Sequence, residues 1–181
     1  MESPSQAIKP GGKKGRNQAM GKRRRAREMA MQMLYQHELG GSTLRDVFAS
    51  FDLSGYQESE EGGSGERHLK LAEDSFQYAR KLVEGTVGHG EEIDGVIRQH
   101  AENWRLERMP TIDRNILRVA VYEMLYEKNV PRVVIVDEAI ELAKKFGAEN
   151  SGRFVNGLLD GILQSQGSAA SHRASVPAEG R

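Results

Sequence analysis

Residues 111–127 read TIDRNILRVAVYEMLYE, and this stretch decides the fold. Ile112, Ile116, Leu117, Ala120, Met124 and Leu125 recur at spacings of three and four, the period of a helix with a buried face. Beyond it, Pro131 has no amide hydrogen and leads naturally into a helix over about 132–146. Asp137 and Glu138 early and Lys144 and Lys145 late match the helix dipole, and Gly147 is a fitting stop. The β-branched run Val133-Val134-Ile135-Val136 could form a short strand, but its continuation through Ala139, Ile140 and Ala143 favours helix. Asn150 or Ser151 can cap a last helix that carries Phe154, Val155, Leu158, Leu159 and Ile162.

Toward the N-terminus the same period returns. Glu91 to about Asn103 predicts a helix with Ile93, Val96 and Ile97 inward, and Trp104 to Pro110 is a connector. A helix from about Glu66 buries Leu69, Ala72, Phe76, Ala79, Leu82 and Val83. Thr43 to Leu53 forms a short helix, and Met29, Ala30, Met33, Leu34 and His37 share one face of a helix from about Gly21, stopped by Gly40-Gly41. The expected fold is therefore all-α, with about seven helices and no sheet. Its expected organisation is a disordered basic arm over 1–20, an N-terminal helical subdomain over 21–88 with a flexible, glycine-rich loop at 54–65, a C-terminal helical subdomain over 89–164, and a disordered tail over 165–181.

The 181 residues are 38% hydrophobic, enough for one compact domain or two small subdomains sharing a core. With no cysteine there is no disulfide, thiolate metal site or cysteine nucleophile. No run of about 18 apolar residues spans a membrane, and the basic N-terminus lacks the apolar stretch of a secretory signal. The expected compartment is the cytoplasm. Catalytic motifs are missing too: no phosphate-binding glycine loop, no nucleophile elbow, and no pair of histidines at the spacing of a helical metal site. No enzyme, cofactor or metal is expected.

The formal net charge of zero hides a strong polarity. Residues 1–27 hold nine Lys or Arg against the single acid Glu2, a net of +8, and the rest of the chain carries the balancing −8. A basic arm on an acidic body usually meets nucleic acid or an anionic surface; a tail that only aids solubility is the plain alternative. Within the arm, Lys22, Arg23, Arg24, Arg25 and Arg27 crowd what the periodicity makes the first turns of a helix, where cations oppose the dipole and one another. A bound polyanion reverses those costs, and arginine suits bidentate phosphate contacts and stacking on bases. Arg23 and Arg27 flank the apolar stripe, so the segment can grip a polyanionic strand that passes over the helix end, and the double substitution Arg23→Ala with Arg27→Ala is expected to weaken that binding without unfolding the protein. A localisation tag is the competing reading.

These residues bring a resemblance into view. Arg23-Arg24-Arg25-Ala26-Arg27-Glu28, with Ala30 and Leu34-Tyr35, resembles the opening helix of the NusB family of bacterial transcription antitermination factors. Residues 111–124, then Val130-Pro131 with 137–147 (DEAIELAKKFG), then Ser151 with 154–160 (FVNGLLD), resemble three further blocks of that family in order, over roughly residues 21–163. The resemblance implies two stacked helical bundles. It implies binding of boxA-type single-stranded RNA in nascent ribosomal transcripts, jointly with NusE, a small-subunit ribosomal protein, in a complex on RNA polymerase with other Nus factors.

By the same resemblance the RNA-contacting residues are the arginine helix (Lys22, Arg23, Arg24, Arg25, Arg27), the aromatics Tyr35 and Phe154, and the helix-start pair Asn150 and Ser151. Tyr35 and Phe154 also sit at helical spacing with core residues, so a packing role stands beside the RNA contact for each. Asp113 is the candidate for the NusE surface. Asn150 departs from the family, where Asp is common, removing a charge beside the RNA path; the loop at 54–65 and the long arm are extra. Some members form homodimers that hide the RNA surface, a state equally open to this chain. A similar helical domain precedes the catalytic domain of certain rRNA cytosine methyltransferases, but those need a Rossmann domain and catalytic cysteines. The remaining alternative is a helical protein-interaction adaptor whose basic arm does not bind RNA specifically.

Overall fold

The computed structural model describes residues 13–57, 65–101 and 104–174, and every regular element among them is helical. The elements are α1 (Lys13–Gly40), α2 (Leu44–Ser50), α3 (Ser54–Gln57), α4 (Gly65–Gly88), α5 (Gly90–His100), a 3-10 turn (Leu106–Arg108), α6 (Thr111–Tyr126), α7 (Arg132–Phe146) and α8 (Ser151–Ala174). The β-branched run at 133–136 is helix, its first turn closed by the Ile135 amide on the Pro131 carbonyl at 3.2 Å.

α6 is the hub. From Asp113 to Met124 all but Arg118 is buried, and the helix packs against α1, α4, α5, α7 and α8. α1 lies chiefly along α4, burying Ala26, Met29, Ala30, Met33 and Leu34; α7 lies chiefly along α8. One continuous apolar cluster joins the two halves, from Met29 and Leu82 through Ile116 and Val121 to Leu142 and Leu159. Two glycines mark close approaches. A Cβ at Gly85 of α4 would run into the Tyr122 ring of α6, so this crossing is built on a missing side chain. Gly41, with φ 60°, adopts the left-handed turn that ends α1.

Two boundaries and one element differ from the expectations. α1 begins at Lys13, inside the stretch read as disordered, and α8 continues to Ala174 rather than ending near Gln164. The arginines at 23–27 thus lie well inside a helix rather than in its first turns, and the dipole part of the charge argument does not apply to them. The eighth α-helix, α3, sits where a flexible loop was expected. Asp52 nucleates it by accepting from the Ser54 amide and hydroxyl, both at 2.9 Å. Tyr56 then anchors it, stacked on Phe51 with its hydroxyl donating to Glu28. Residues 58–64 of that loop, 1–12 of the arm and 175–181 of the tail lie outside the described residues.

Candidate RNA-binding surface

The arginine segment is divided by the face of α1 on which each residue falls. Arg27 points inward with Ala26 and is 3% exposed. Its Nε and Nη2 donate to the two carboxylate oxygens of Glu123 on α6 at 2.7 and 2.9 Å, and Nη1 lies 3.8 Å from Glu138 of α7. Glu123 is itself 1% exposed. Arg27 is therefore withdrawn from the RNA-contacting set: its guanidinium is committed to a desolvated pair that ties α1 to α6. The double alanine test at Arg23 and Arg27 fails for the same reason, since leaving Glu123 buried and unpaired would unsettle the fold.

Arg24 is exposed but ordered. Its Nε and Nη2 donate to Glu138 between 2.7 and 3.2 Å, and this hydrogen bond, then the charge of the same carboxylate, raises the Arg24 pKa above its ordinary value. Lys22 reaches Asp74 of α4 at 3.7 Å across an exposed gap. Arg23 and Arg25 are half-buried and form no ion pair among the described residues. Arg25 Nη1 is buried without a hydrogen-bond partner. Lys22, Arg23, Arg24 and Arg25 thus keep an excess of positive charge within α1, between α4 and α7.

A second group forms where α7 turns into α8. Ser151 is 3% exposed: its hydroxyl donates to Asp113 of α6 at 2.9 Å and accepts from the Ala148 amide at 2.8 Å. Neither Ser151 nor Asp113, also 3% exposed, can meet RNA or a protein partner. Both expectations are corrected: the pair is a buried latch between α6 and α8. Burial pushes the Asp113 carboxyl above its ordinary range, partly offset by the Ser151 hydroxyl. Gly147 is required beside it, because a Cβ there would strike the Ser151 side chain. Asn150 stays exposed, and Phe154 is half-buried with its ring against Trp104.

Tyr35 is exposed, beside a shallow groove lined by Leu39, Val47 and Ser50. It lies three turns beyond Arg24 on the same side of α1, roughly 16 Å along the axis. This side faces α7, as Glu28 shows by accepting from Lys145 at 3.0 Å. The two groups are linked through α7. Glu138 holds Arg24, Glu141 lies one turn on and pairs with Lys144 at 2.9 Å, and the Lys144 stem covers Gly152, where a Cβ would come within 2.9 Å. Sequence reasoning missed Glu138 as the partner of Arg24, Lys144 as the cover of Gly152, and the contact of Trp104 with Phe154. A large aromatic in a connector without helical periodicity was the available signal for Trp104.

Among the described residues no cluster of three or more His, Asp or Glu could hold a metal ion, and no helix is long and apolar enough to cross a membrane. The NusB family model matches residues 24–164. A transcription antitermination protein NusB of Myxococcus xanthus is 44% identical over 143 residues, 79% of this chain and 95% of the relative. That of Symbiobacterium thermophilum is 44% identical over 82% of this chain and 93% of its own. Among solved structures, T. maritima NusB superposes with a TM-score of 0.62 at 38% identity, over 78% of this chain and 90% of that one. A crystal structure of antitermination factors NusB and NusE in complex with double-stranded RNA superposes with a TM-score of 0.61 at 28% identity, over 80% and 97%. The chain belongs to the NusB family.

Proposed function

We propose that this protein is a transcription antitermination factor that binds boxA-type single-stranded RNA of nascent ribosomal transcripts together with NusE, within a complex on RNA polymerase. The observation that carries the reading is the cationic segment of α1, where Lys22, Arg23, Arg24 and Arg25 outnumber the acids paired with them among the described residues. Such a surplus is destabilising by itself and is relieved by phosphates. Family membership and the NusB–NusE–RNA structure of a relative point the same way. That relative holds double-stranded RNA; here the aromatics Tyr35, farther along α1, and Phe154, on α8, suit unpaired bases, which offer their faces for stacking.

The N-terminal half, residues 21–88, supplies the arginines, and the C-terminal half, residues 89–164, supplies Asn150 and Phe154. The protein acts by holding RNA and partner together rather than by catalysis, and the cytoplasm, where transcripts emerge, is its compartment. Fluorescence anisotropy with a labelled boxA-like strand and a scrambled control, with and without NusE, tests this over a range of salt. Tighter and more selective binding with NusE, and an affinity that falls with log salt by about 0.7 per phosphate contact, is the expected result. Equal weak binding of both strands, indifferent to NusE, would leave a helical protein-interaction adaptor instead.

A further inference from the structure

Trp104 sits in the connector between α5 and α6 with 55% of its surface exposed. The connector is pinned by its neighbours: Leu106 and Met109 are 2% and 3% exposed, and the Arg114 guanidinium holds the Leu106 and Met109 carbonyls at 3.0 Å. The indole is left outside, in contact with the Phe154 ring at 5.7 Å between centroids and 61° between planes. An edge-to-face contact with half the side chain open leaves an indole face to solvent.

The surroundings are cationic. Arg105 and Arg153, the chain neighbours of Trp104 and Phe154, are both exposed. Lys144 lies over the first turn of α8, and that turn holds no acid. Among the described acids nearby, Glu107 is tied to Arg98 at 3.2 Å and also feels the charge of Arg105, Glu141 pairs with Lys144 at 2.9 Å, and Glu149 precedes the helix, which leaves Arg153 without an ion-pair partner among the described residues. An aromatic pair with exposed arginines next to it in the chain suits a ring that carries a phosphate; Trp and Arg are also favoured in protein interfaces, so a protein contact is the rival outcome of the test.

We propose that Trp104 and Phe154 together form a stacking platform for an unpaired base of bound RNA, with Arg105 and Arg153 receiving the flanking phosphates. The inference rests on the RNA-binding reading above and extends its surface from the arginine helix, across α7, to the α5–α6 connector.

Trp104 is the one tryptophan of the chain, so its intrinsic fluorescence reports this position alone. The full chain is titrated with a short boxA-like single strand while indole emission and the anisotropy of a labelled strand are followed in parallel. The indole should be quenched along the same isotherm as the anisotropy, and a duplex of the same sequence should quench it far less. Trp104→Ala should weaken binding about tenfold, with an unchanged melting temperature and an unchanged salt slope, because no phosphate contact is lost. Trp104→Phe should restore most of the affinity. Binding by anisotropy with undisturbed emission and full affinity in Trp104→Ala would overturn the platform while leaving the RNA-binding reading intact. Loss of binding to the ribosomal-protein partner alone would overturn it in favour of a protein contact. No binding of RNA by the unaltered chain would defeat both readings together.

Discussion

Two charged clusters flank α6, built from the same residue types and put to opposite use. At one, Glu38 of α1 accepts from Arg114, Asn115 and Arg118, while Arg118 donates to Asp94 of α5 at 2.8 and 2.9 Å. With Arg98 and Glu107 at its edge, its three cations meet three acids around one small cavity. It is neutral and closed, and it holds the end of α1, the start of α6 and α5 together. At the other, Arg24 and Arg27 meet Glu123 and Glu138, but Lys22, Arg23 and Arg25 bring charge that this pair of acids does not absorb. A balanced cluster serves the architecture; an unbalanced one at the surface is directed at something outside the molecule.

Arg27→Ala breaks this comparison most severely, because it empties the one point at which the open cluster is also architectural. It should destabilise the fold by about 3–5 kcal/mol, a fall in melting temperature on the order of 10 °C. Arg27→Met combined with Glu123→Leu should recover most of that loss; a double variant as unstable as the single one would count against the pair as its source. Next comes the closed cluster. Arg114→Ala forfeits a partly buried ion pair and two buried carbonyl contacts, and urea unfolding should register about 1.5–3 kcal/mol, with RNA affinity unchanged at temperatures where the variant is folded.

The open cluster should respond in the reverse way. Lys22→Ala with Arg23→Ala should leave stability within about 0.5 kcal/mol and flatten the dependence of log K on log salt by about 1.4. A stability loss without a change of slope would place these residues with the architecture. The smallest effect concerns the latch. Because burial raises the Asp113 pKa above its ordinary 3.8, the folded state holds that proton more firmly than the unfolded chain. The associated stability is full below the ordinary range and is lost as pH rises through the folded-state pKa. Relative to Asp113→Asn, the unaltered protein should therefore lose ground in thermal melts from acid toward neutral pH. A difference between the two that ignores pH would sink this account.

What could be read in advance follows from how local its cause is. α6 announced itself because a helix buried along one face writes that face into its own sequence at spacings of three and four. The run at 133–136 resolved as helix because Pro131 before it and Ala139, Ile140 and Ala143 after it share a register. Arg27 could not be told from Arg23 in that way. What removes it from the surface is Glu123, which is distant along the chain and adjacent only once α1 and α6 have packed. Asp113 and Ser151 are the same case: two polar residues at apparent helix starts that bury one another. α3 escaped notice because four residues are too few to show a period, although Asp52 two positions before Ser54 was a legible cap. The start of α1 at Lys13 escaped notice as well, since residues 13–20 offer no apolar repeat.

The grip of Glu138 on Arg24 has a thermodynamic consequence. An arginine side chain waving in water surrenders up to about 2 kcal/mol of rotational freedom when a ligand arrests it. Arg24 is arrested already, by a carboxylate of another helix, so that entropy is spent when the chain folds. A phosphate arriving there meets a guanidinium fixed in place, whose Nε and Nη2 face Glu138 and whose Nη1 has no hydrogen-bond partner among the described residues, and the nucleic acid is spared the ordering cost at this position.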